Sequence, residues 1–223
     1  MRPEILTATG VYFSLVRPDP DDIRIEDIAH ALANTCRFAG HCQPFYSVAE
    51  HSVRVALCSR VPSWLKFDAL MHDAAEAYLG DIPTPLKRLV PEFREVERRI
   101  EDAIEARFGC HQIHHELVKA ADLALLATER RDLMPAADNG EWEVTLSGID
   151  PLPARITPCR PAPRRGCSSR RSKNTPRSIS SPVREGDCMK KLTFTLPYPC
   201  CCQTGAVCPP TARRPRPQSR KSA

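Results

Sequence analysis

The most constraining feature of this sequence is the stretch DALMHDAAEAYLGDIPTP, residues 68–85. It places His72 and Asp73 side by side in an apolar, helix-forming run, with Glu76 one turn later and Asp81 just after a glycine. Burying several ionisable groups within one helical turn is costly unless a partner compensates their charge. A metal ion is such a partner, so this stretch predicts a metal site to which other segments contribute ligands.

Amphipathic segments surround this stretch and predict an all-α helical bundle. Apolar residues recur at helical spacing in four of them: 21–35, 48–60, 92–109 and 113–133. The central stretch itself predicts one helix from about Ser63 to Leu79, ended by Gly80. Residues 1–20 look extended or irregular. Trp142, Val144 and Leu146 alternate with polar residues, which predicts a short strand or an ordered arm.

The charge distribution divides the chain at about Pro158. Residues 159–223 contain 15 Lys and Arg but only 2 Asp and Glu, whereas residues 1–158 contain 17 basic and 25 acidic residues. The overall net charge of +5 therefore describes neither part, and nucleic-acid binding is not expected for the acidic part. We predict a helical domain over 1–158 and a disordered basic tail over 159–223, because the tail lacks a periodic apolar pattern.

Three interpretations of the tail compete. It is a basic arm that contacts nucleic-acid phosphates, a cysteine-rich metal-binding tract, or the product of translation in a shifted reading frame. Arg, Pro, Ser and Cys dominate it, and the change of composition at Cys159 is abrupt, as an out-of-frame GC-rich gene would give. The frameshift hypothesis fits best, and the genomic DNA around codon 158 tests it.

The first sixteen residues, MRPEILTATGVYFSLV, lack the apolar run and cleavage site of a signal peptide. No stretch is apolar enough for long enough to cross a membrane. We therefore expect a cytoplasmic protein in which the cysteines of the first part are free thiols: Cys36, Cys42, Cys58 and Cys110.

Four side chains on three predicted helices, with Asp81 at a loop end, are candidates to meet at one cation. They are His51, His72, Asp73 and Asp122. Adjacent residues on a helix point about 100° apart, so the His–Asp doublet can straddle one face and offer two ligands. Imidazole together with carboxylate suits zinc, manganese, cobalt or iron better than calcium.

The order His, then His-Asp, then Asp on successive helices resembles the HD-domain metal-dependent phosphohydrolase superfamily. The segments EHS, HDAAEAYLGDIPTPLK and KAADLALLATERRDL resemble its 5′-deoxynucleotidase-like branch, and CRFAGH followed by FYSVAEHS resembles the phage-type members. The resemblance extends from about Ile5 to Pro158. It implies His51, His72, Asp73 and Asp122 as ligands of a divalent ion, and relatives of this branch are often homodimers.

Other residues are candidates for catalysis or phosphate binding. Glu76 is placed to act as general base or water orienter, or else to orient His72. Asp81 shares that proton network or protonates the leaving oxygen, or alternatively caps the following turn. The resemblance implies that Arg37 holds substrate phosphate, for which its planar fork is suited. Further candidates for phosphate contact are His41 and Lys87.

Two further groups carry suggestive residue types but are predicted to be ordinary. The segment CHQIHH, residues 110–115, lacks a second cluster at zinc spacing, so a second metal site is not favoured. Glu129 and Arg130 follow Asp122 by about two turns and are predicted to lie on a solvated or helix-pairing face, although Glu129 could reach the mouth of the pocket.

The leading functional hypothesis is a hydrolase of nucleotide phosphate esters that uses a divalent ion such as Co, Mn, Zn or Mg. Its substrates would be deoxynucleoside 5′-monophosphates or triphosphates. The alternatives are a phosphodiesterase of cyclic or linear nucleotides, and a binding module that keeps the metal site without turnover. Ester hydrolysis at phosphorus requires an activated water, charge neutralisation and proton transfer, which a metal ion and nearby carboxylates provide.

Overall fold

The computed structural model describes residues 2–137 and 140–159, and in this part the chain is mostly helical. The predicted all-α fold is confirmed. The helices are α1 (Ile25–Asn34), α2 (Val48–Leu57), α3 (Lys66–Met71), α4 (Glu76–Leu79), α5 (Thr84–Leu89), α6 (Phe93–Phe108), α7 (Glu116–Leu133) and α8 (Glu141–Thr145). The predicted tail lies outside the described residues from position 160 onward. None of the described helices is long and apolar enough to cross a membrane.

A small β-hairpin precedes the helices. Strands β1 (Glu4–Leu6) and β2 (Tyr12–Ser14) pair antiparallel, with Ile5 opposite Phe13. The Phe13 ring is fully buried and stacks on the ring of Tyr78 in α4, with 4.0 Å between the centroids. The hairpin is therefore held on the helical part of the molecule by its one inward-facing aromatic residue.

Helix α2 lies at the centre of the fold and packs against α1, α3 and α7. Ser47 begins it, since the Ser47 hydroxyl accepts a hydrogen bond from the Glu50 backbone N–H, as expected of a cap. Because α2 has neighbours on several sides, polar side chains on it become buried together with the apolar ones. His51 has no solvent exposure at all.

The central stretch is not the single helix that the sequence predicts. Helix α3 ends at Met71 and α4 starts at Glu76, and a tight turn connects them. In this turn the Ala74 N–H donates to Met71 O, and the Glu76 N–H donates to Asp73 O, so the bonds span three residues instead of four. Tightening of this kind brings side chains three positions apart onto one line. Asp73 and Glu76 are such a pair.

The end of the central stretch and helix α6 agree with prediction. Gly80 follows α4 with φ +79°, and Gly109 follows α6 with φ +73°, conformations that favour glycine. Ile100 and Ile104 of the α6 apolar stripe are buried. These two glycines thus determine where the flanking helices stop, and α5 lies between them.

Around Trp142 the sequence predicts a short strand or an ordered arm, and the strand is wrong. The segment forms the short helix α8, in which the Val144 N–H donates to Gly140 O and the Leu146 N–H to Trp142 O. Within the described residues the structure pairs no strand with this segment. A lone strand would leave its backbone groups unpaired, whereas one helical turn satisfies several of them internally.

The final described segment, residues 150–159, is held against α7 by Asp132. The Asp132 carboxylate accepts hydrogen bonds from the Ile156 backbone N–H (2.8 Å) and from Arg155 (2.6 Å), and its side chain is 3% exposed. The hydrogen bond from Arg131, followed by those from Ile156 and Arg155, holds the pKa of Asp132 well below its ordinary value of 3.8.

Replacing Asp132 by asparagine is expected to lower the free energy of unfolding by about 1–3 kcal/mol at pH 7, because hydrogen bonds to a buried charge are lost. The lowered pKa means that the carboxylate contributes its stabilisation above about pH 4 and loses it as the pH falls further. The difference between wild type and variant should therefore shrink between pH 7 and pH 3. Urea unfolding at both pH values measures it.

A matched control for this comparison is Asp102→Asn, which removes an exposed carboxylate paired with Arg98 on α6. Its effect should stay within about 0.5 kcal/mol. An unchanged free energy of unfolding in Asp132→Asn at pH 7 would show that Asp132 does not hold the 150–159 segment.

Candidate metal centre

Two histidines and two aspartates from three parts of the fold meet at one point. His51 comes from α2, His72 and Asp73 from the turn after α3, and Asp122 from α7. The Nε2 atoms of His51 and His72 are 3.3 Å apart. Asp122 Oδ1 lies 3.1 Å from His51 Nε2, and Asp73 Oδ2 lies 3.2 Å from His72 Nε2.

The other ring nitrogen of each histidine already has an acceptor. His72 Nδ1 donates to the Ala69 carbonyl oxygen at 2.8 Å, and His51 Nδ1 donates to Glu129 Oε1 at 2.7 Å. Since both acceptors lack a proton to give, Nδ1 is the protonated nitrogen in each neutral ring. When both rings are neutral, as metal binding requires, their Nε2 lone pairs therefore face each other.

This donor set fits a divalent cation. The ligand atoms of His51, His72 and Asp122 all lie within 4.8 Å of one another, and Asp73 Oδ2 is 3.5 Å from His51 Nε2. Two imidazole lone pairs and two carboxylates converge as acceptors, so a cation among them satisfies all four. Two nitrogen and two oxygen ligands suit first-row transition ions such as zinc, cobalt or manganese.

Electrostatics in the cluster favour positive charge. Burial and Arg37 lower the pKa of His51, but the Glu129 and Asp122 carboxylates outweigh them and raise it to about 10. Burial would raise the pKa of Asp73, yet the His72 imidazole holds it well below its ordinary range. The carboxylates therefore attract a cation to this position.

Glu129 and Arg37 form a buried layer behind His51. Glu129 is completely buried, and its Oε2 accepts from Arg37 Nε at 3.2 Å and forms an ion pair with Nη2 at 3.1 Å. Arg37 Nη1 lies 3.6 Å from Asp73 Oδ2. Of the two faces predicted for Glu129, the solvated one is wrong, because Glu129 is buried where α7 packs against α2. Seven residues separate it from Asp122, nearly two full turns, which places both on one face of α7 and was the available signal.

Glu76 faces a cavity of about 360 Å³ next to the cluster. Burial, together with the nearby Asp73 and Asp81 carboxylates, raises the pKa of Glu76 to about 9. Its Oε2 is buried and has no hydrogen-bond partner among the described residues. The cavity is also lined by His72, Asp73, Ala75, Lys87, Glu97, Glu101, Ile113, His114, Val118, Lys119 and Asp122.

Asp81, a predicted catalytic residue, and Lys87, a predicted phosphate-binding residue, have distinct surroundings. Asp81 Oδ2 accepts a hydrogen bond from the Phe38 backbone N–H at 3.1 Å, which anchors the loop that carries Arg37. Phe38 itself has φ +55°, an uncommon value for a residue with a side chain. Lys87 lines the cavity and pairs with Glu97 at 2.6 Å.

His41 lies away from the cluster, and the CHQIHH segment forms no second metal site among the described residues. His41 is exposed, and none of its recorded side-chain contacts within the described chain reaches the cluster. His111 lies 3.7 Å from Glu105, and His114 lies 3.3 Å from Glu101. Among the described residues, the metal-type cluster found is the one at His51.

The first-part cysteines are thiols, as predicted. The structure forms no disulfide among Cys36, Cys42, Cys58 and Cys110. Two of them nevertheless lie close together, since the Sγ atoms of Cys36 and Cys42 are 3.7 Å apart.

Comparison with known proteins decides the family. The chain is 49% identical to the uncharacterized protein YfdR of Escherichia coli over 146 residues, which cover 65% of this chain and 79% of the relative. The chain belongs to the YfdR family. No model of a described protein family matches it.

Two further relatives of this YfdR-family chain match over shorter stretches. An uncharacterized protein of Rhodobacter capsulatus, RCAP_rcc00048, is 38% identical over 121 residues, covering 51% of this chain and 62% of the relative. The 5′-deoxynucleotidase PM0747 of Pasteurella multocida is 31% identical over 74 residues, covering 27% of this chain and 38% of that enzyme. The distant enzyme and the His–His–Asp cluster both favour a metal-dependent hydrolase.

Proposed function

We propose that this protein is a metal-dependent phosphohydrolase of the HD type that acts on deoxynucleotides. Its substrates are deoxynucleoside 5′-monophosphates or deoxynucleoside triphosphates, and the bond broken is the phosphate ester at the sugar 5′-oxygen. The observation that carries the proposal is the convergence of His51, His72, Asp73 and Asp122 beside a cavity.

The four converging residues would hold a divalent ion. When bound, such an ion neutralises phosphate charge and makes water a better nucleophile. The cavity volume, about 360 Å³, lies in the range of small-molecule sites. A nucleotide with its phosphate at the cluster therefore has room for its nucleoside beside it.

The chain's own residues supply binding and proton transfer. Arg37 directs Nη1 toward Asp73, where it can also contact a phosphate oxygen. Glu76 is the general base or acid, because its carboxyl group faces the same cavity and its buried Oε2 has no hydrogen-bond partner in the described part of the chain. Asp81 holds the loop of Arg37 in place, and Lys87 at the cavity wall would contact a phosphate by exchanging its present partner, Glu97.

The distant similarity to a named enzyme supports the substrate class. The Pasteurella multocida relative is a 5′-deoxynucleotidase, and the similar stretch is 74 residues long. A hydrolase that acts on a deoxynucleotide ester needs the parts described above: a site for a cation, a guanidinium beside it, and a carboxylate in the adjoining cavity.

A substrate panel tests the proposal. The purified full-length chain is stripped of metal with a chelator and then assayed for phosphate or triphosphate release, with Co²⁺, Mn²⁺, Zn²⁺ or Mg²⁺ added singly. The panel contains deoxynucleoside and ribonucleoside mono- and triphosphates, together with a cyclic nucleotide and a dinucleotide. We expect metal-restored hydrolysis of deoxynucleotides and background rates without metal.

Two results would contradict the proposal in different ways. Preferential cleavage of the cyclic nucleotide or the dinucleotide would identify a phosphodiesterase instead. Metal binding without turnover of any compound would identify a binding module.

A further inference from the structure

The buried carboxylate of Glu129 contacts both a candidate metal ligand, His51, and the candidate phosphate-binding residue, Arg37. Glu129 Oε1 accepts from His51 Nδ1 at 2.7 Å, while Glu129 Oε2 accepts from Arg37 Nε at 3.2 Å and pairs with Arg37 Nη2 at 3.1 Å. Glu129 is 0% exposed, and His51 is 0% exposed as well. Burying a carboxylate completely is unfavourable unless its oxygens are well compensated, and here His51 and Arg37 of the site compensate them, together with the buried Tyr46.

We propose that Glu129 is a positioning residue that orients the metal ligand His51 and the phosphate-binding Arg37 together. The inference rests on the proposed function for the role of Arg37, whereas the effect on His51 concerns cation binding alone. Glu129 itself reaches neither the cluster centre nor the cavity lining, since it is not among the residues that line the cavity. It acts through its two partners.

The contact with His51 fixes the ligand nitrogen. A carboxylate that accepts from Nδ1 keeps the proton on that atom, holds the ring in one orientation and makes Nε2 more basic. The Nε2 atom lies 3.1 Å from Asp122 Oδ1 and 3.3 Å from His72 Nε2, so a rotated ring would lose both neighbours. Glu129 thereby prepares His51 for a cation before one binds.

The contact with Arg37 directs the guanidinium. Two of its nitrogens, Nε and Nη2, are held on one Glu129 oxygen, which leaves Nη1 directed at Asp73 Oδ2 at 3.6 Å. Without that anchor, the attraction of Asp73 would draw the guanidinium toward the cluster, where its charge competes with a cation. Glu129 keeps Arg37 at a distance that lets it approach phosphate instead.

The variant Glu129→Gln tests both contacts with little change in size. The glutamine lacks the charge that balances Arg37 and strengthens the bond from His51. We expect the dissociation constant for Zn²⁺, measured by calorimetry on the metal-free full-length chain, to rise about 10–100-fold. For the best substrate of the panel, KM should also rise, because Arg37 is no longer held toward phosphate.

Nuclear magnetic resonance separates positioning from a merely structural role. In the Zn²⁺-loaded wild type the His51 Nδ1 proton should resonate far downfield, because its acceptor is a carboxylate. In Glu129→Gln it should move upfield. The His51→Asn variant, which lacks the signal, assigns it.

The matched control is Asp132→Asn on the same helix. It makes the same carboxylate-to-amide change at a side chain that is 3% exposed and paired with Arg131 and Arg155. It should lose stability while keeping the Zn²⁺ dissociation constant and the His51 signal of the wild type.

Either of two outcomes overturns the positioning role. They are an unchanged Zn²⁺ dissociation constant in Glu129→Gln, and an unchanged His51 Nδ1 resonance. If Glu129→Gln does not fold, Glu129→Asp provides the same readouts, because the shorter side chain cannot reach both partners. Neither measurement uses a nucleotide, so failure of the proposed activity would leave these results interpretable.

Discussion

Asp122→Asn is expected to reduce kcat/KM for deoxynucleotide hydrolysis by about 10³-fold or more. That loss corresponds to about 4 kcal/mol of transition-state stabilisation, within the several kcal/mol that a catalytic cation supplies. The amide keeps the size of the side chain but removes the negative charge 3.1 Å from His51 Nε2. Bound metal should be lost as well. Steady-state kinetics measures the loss of activity, and elemental analysis measures the loss of metal.

The reason for a large effect lies in the composition of the cluster. Two histidines are neutral ligands, so Asp73 and Asp122 supply the negative charge that balances a divalent ion. Asp73 also faces Arg37 at 3.6 Å, which offsets part of its charge. Asp122 is therefore the carboxylate whose charge is most available to the cation.

Asp132→Asn again serves as the control, since it lies ten residues further along α7 and away from the cluster. Its loss of stability shows what destabilisation of this helix does to activity without a change at the site. Full metal content and turnover within threefold of the wild type in Asp122→Asn would remove Asp122 from the ligand set.

Most helices could be predicted from the sequence, because the local signals that start and end them agree. Ser47 caps α2, and glycines with positive φ follow α4 and α6. These signals act within a few residues of one another, so they can be interpreted without knowledge of the fold. One exception was α8, where an alternating pattern over a few residues was outweighed by the lack of a partner strand among the described residues.

The site was only partly predictable for a physical reason. His51, the His–Asp doublet and Asp122 stand out because polar residues in apolar helical runs need a partner, and the structure brings them together. Glu129 does not stand out, because the segment ATERRDL around it is itself charged. Its burial arises from the packing of α2 on α7, of which the seven-residue spacing from Asp122 is the one trace in the sequence.

The break in the central stretch could not be predicted either, and it has a consequence for Glu76. An α-helix turns 100° per residue, so a continuous helix would place Asp73 and Glu76 about 60° apart. The three-residue hydrogen bonds between α3 and α4 bring them nearly into line. Both side chains consequently line the cavity, and their proximity contributes to the raised pKa of Glu76.

Glu76→Gln is accordingly expected to lower kcat by about 10²–10⁴-fold, the usual contribution of a general acid or base. Zn²⁺ binding should remain within threefold of the wild type, because Glu76 is not among the converging ligand atoms. The metal-free variant should unfold at the same or a higher temperature, since a buried carboxylate oxygen without a partner costs stability. Kinetics, calorimetry and thermal unfolding together measure this pattern.

The changes in kcat and in unfolding temperature identify the role of Glu76 only when they are considered together. A structural glutamate would lose stability and activity together, whereas a catalytic one held in an unfavourable environment loses activity while stability is kept or gained. Glu105→Gln on α6 is the control, because Glu105 is partly buried and lies 3.7 Å from His111, outside the cavity lining. Glu105→Gln should keep the wild-type kcat. A Glu76→Gln enzyme with wild-type kcat would assign proton transfer to another group, and Asp81, whose pKa burial raises, would be the next residue to replace.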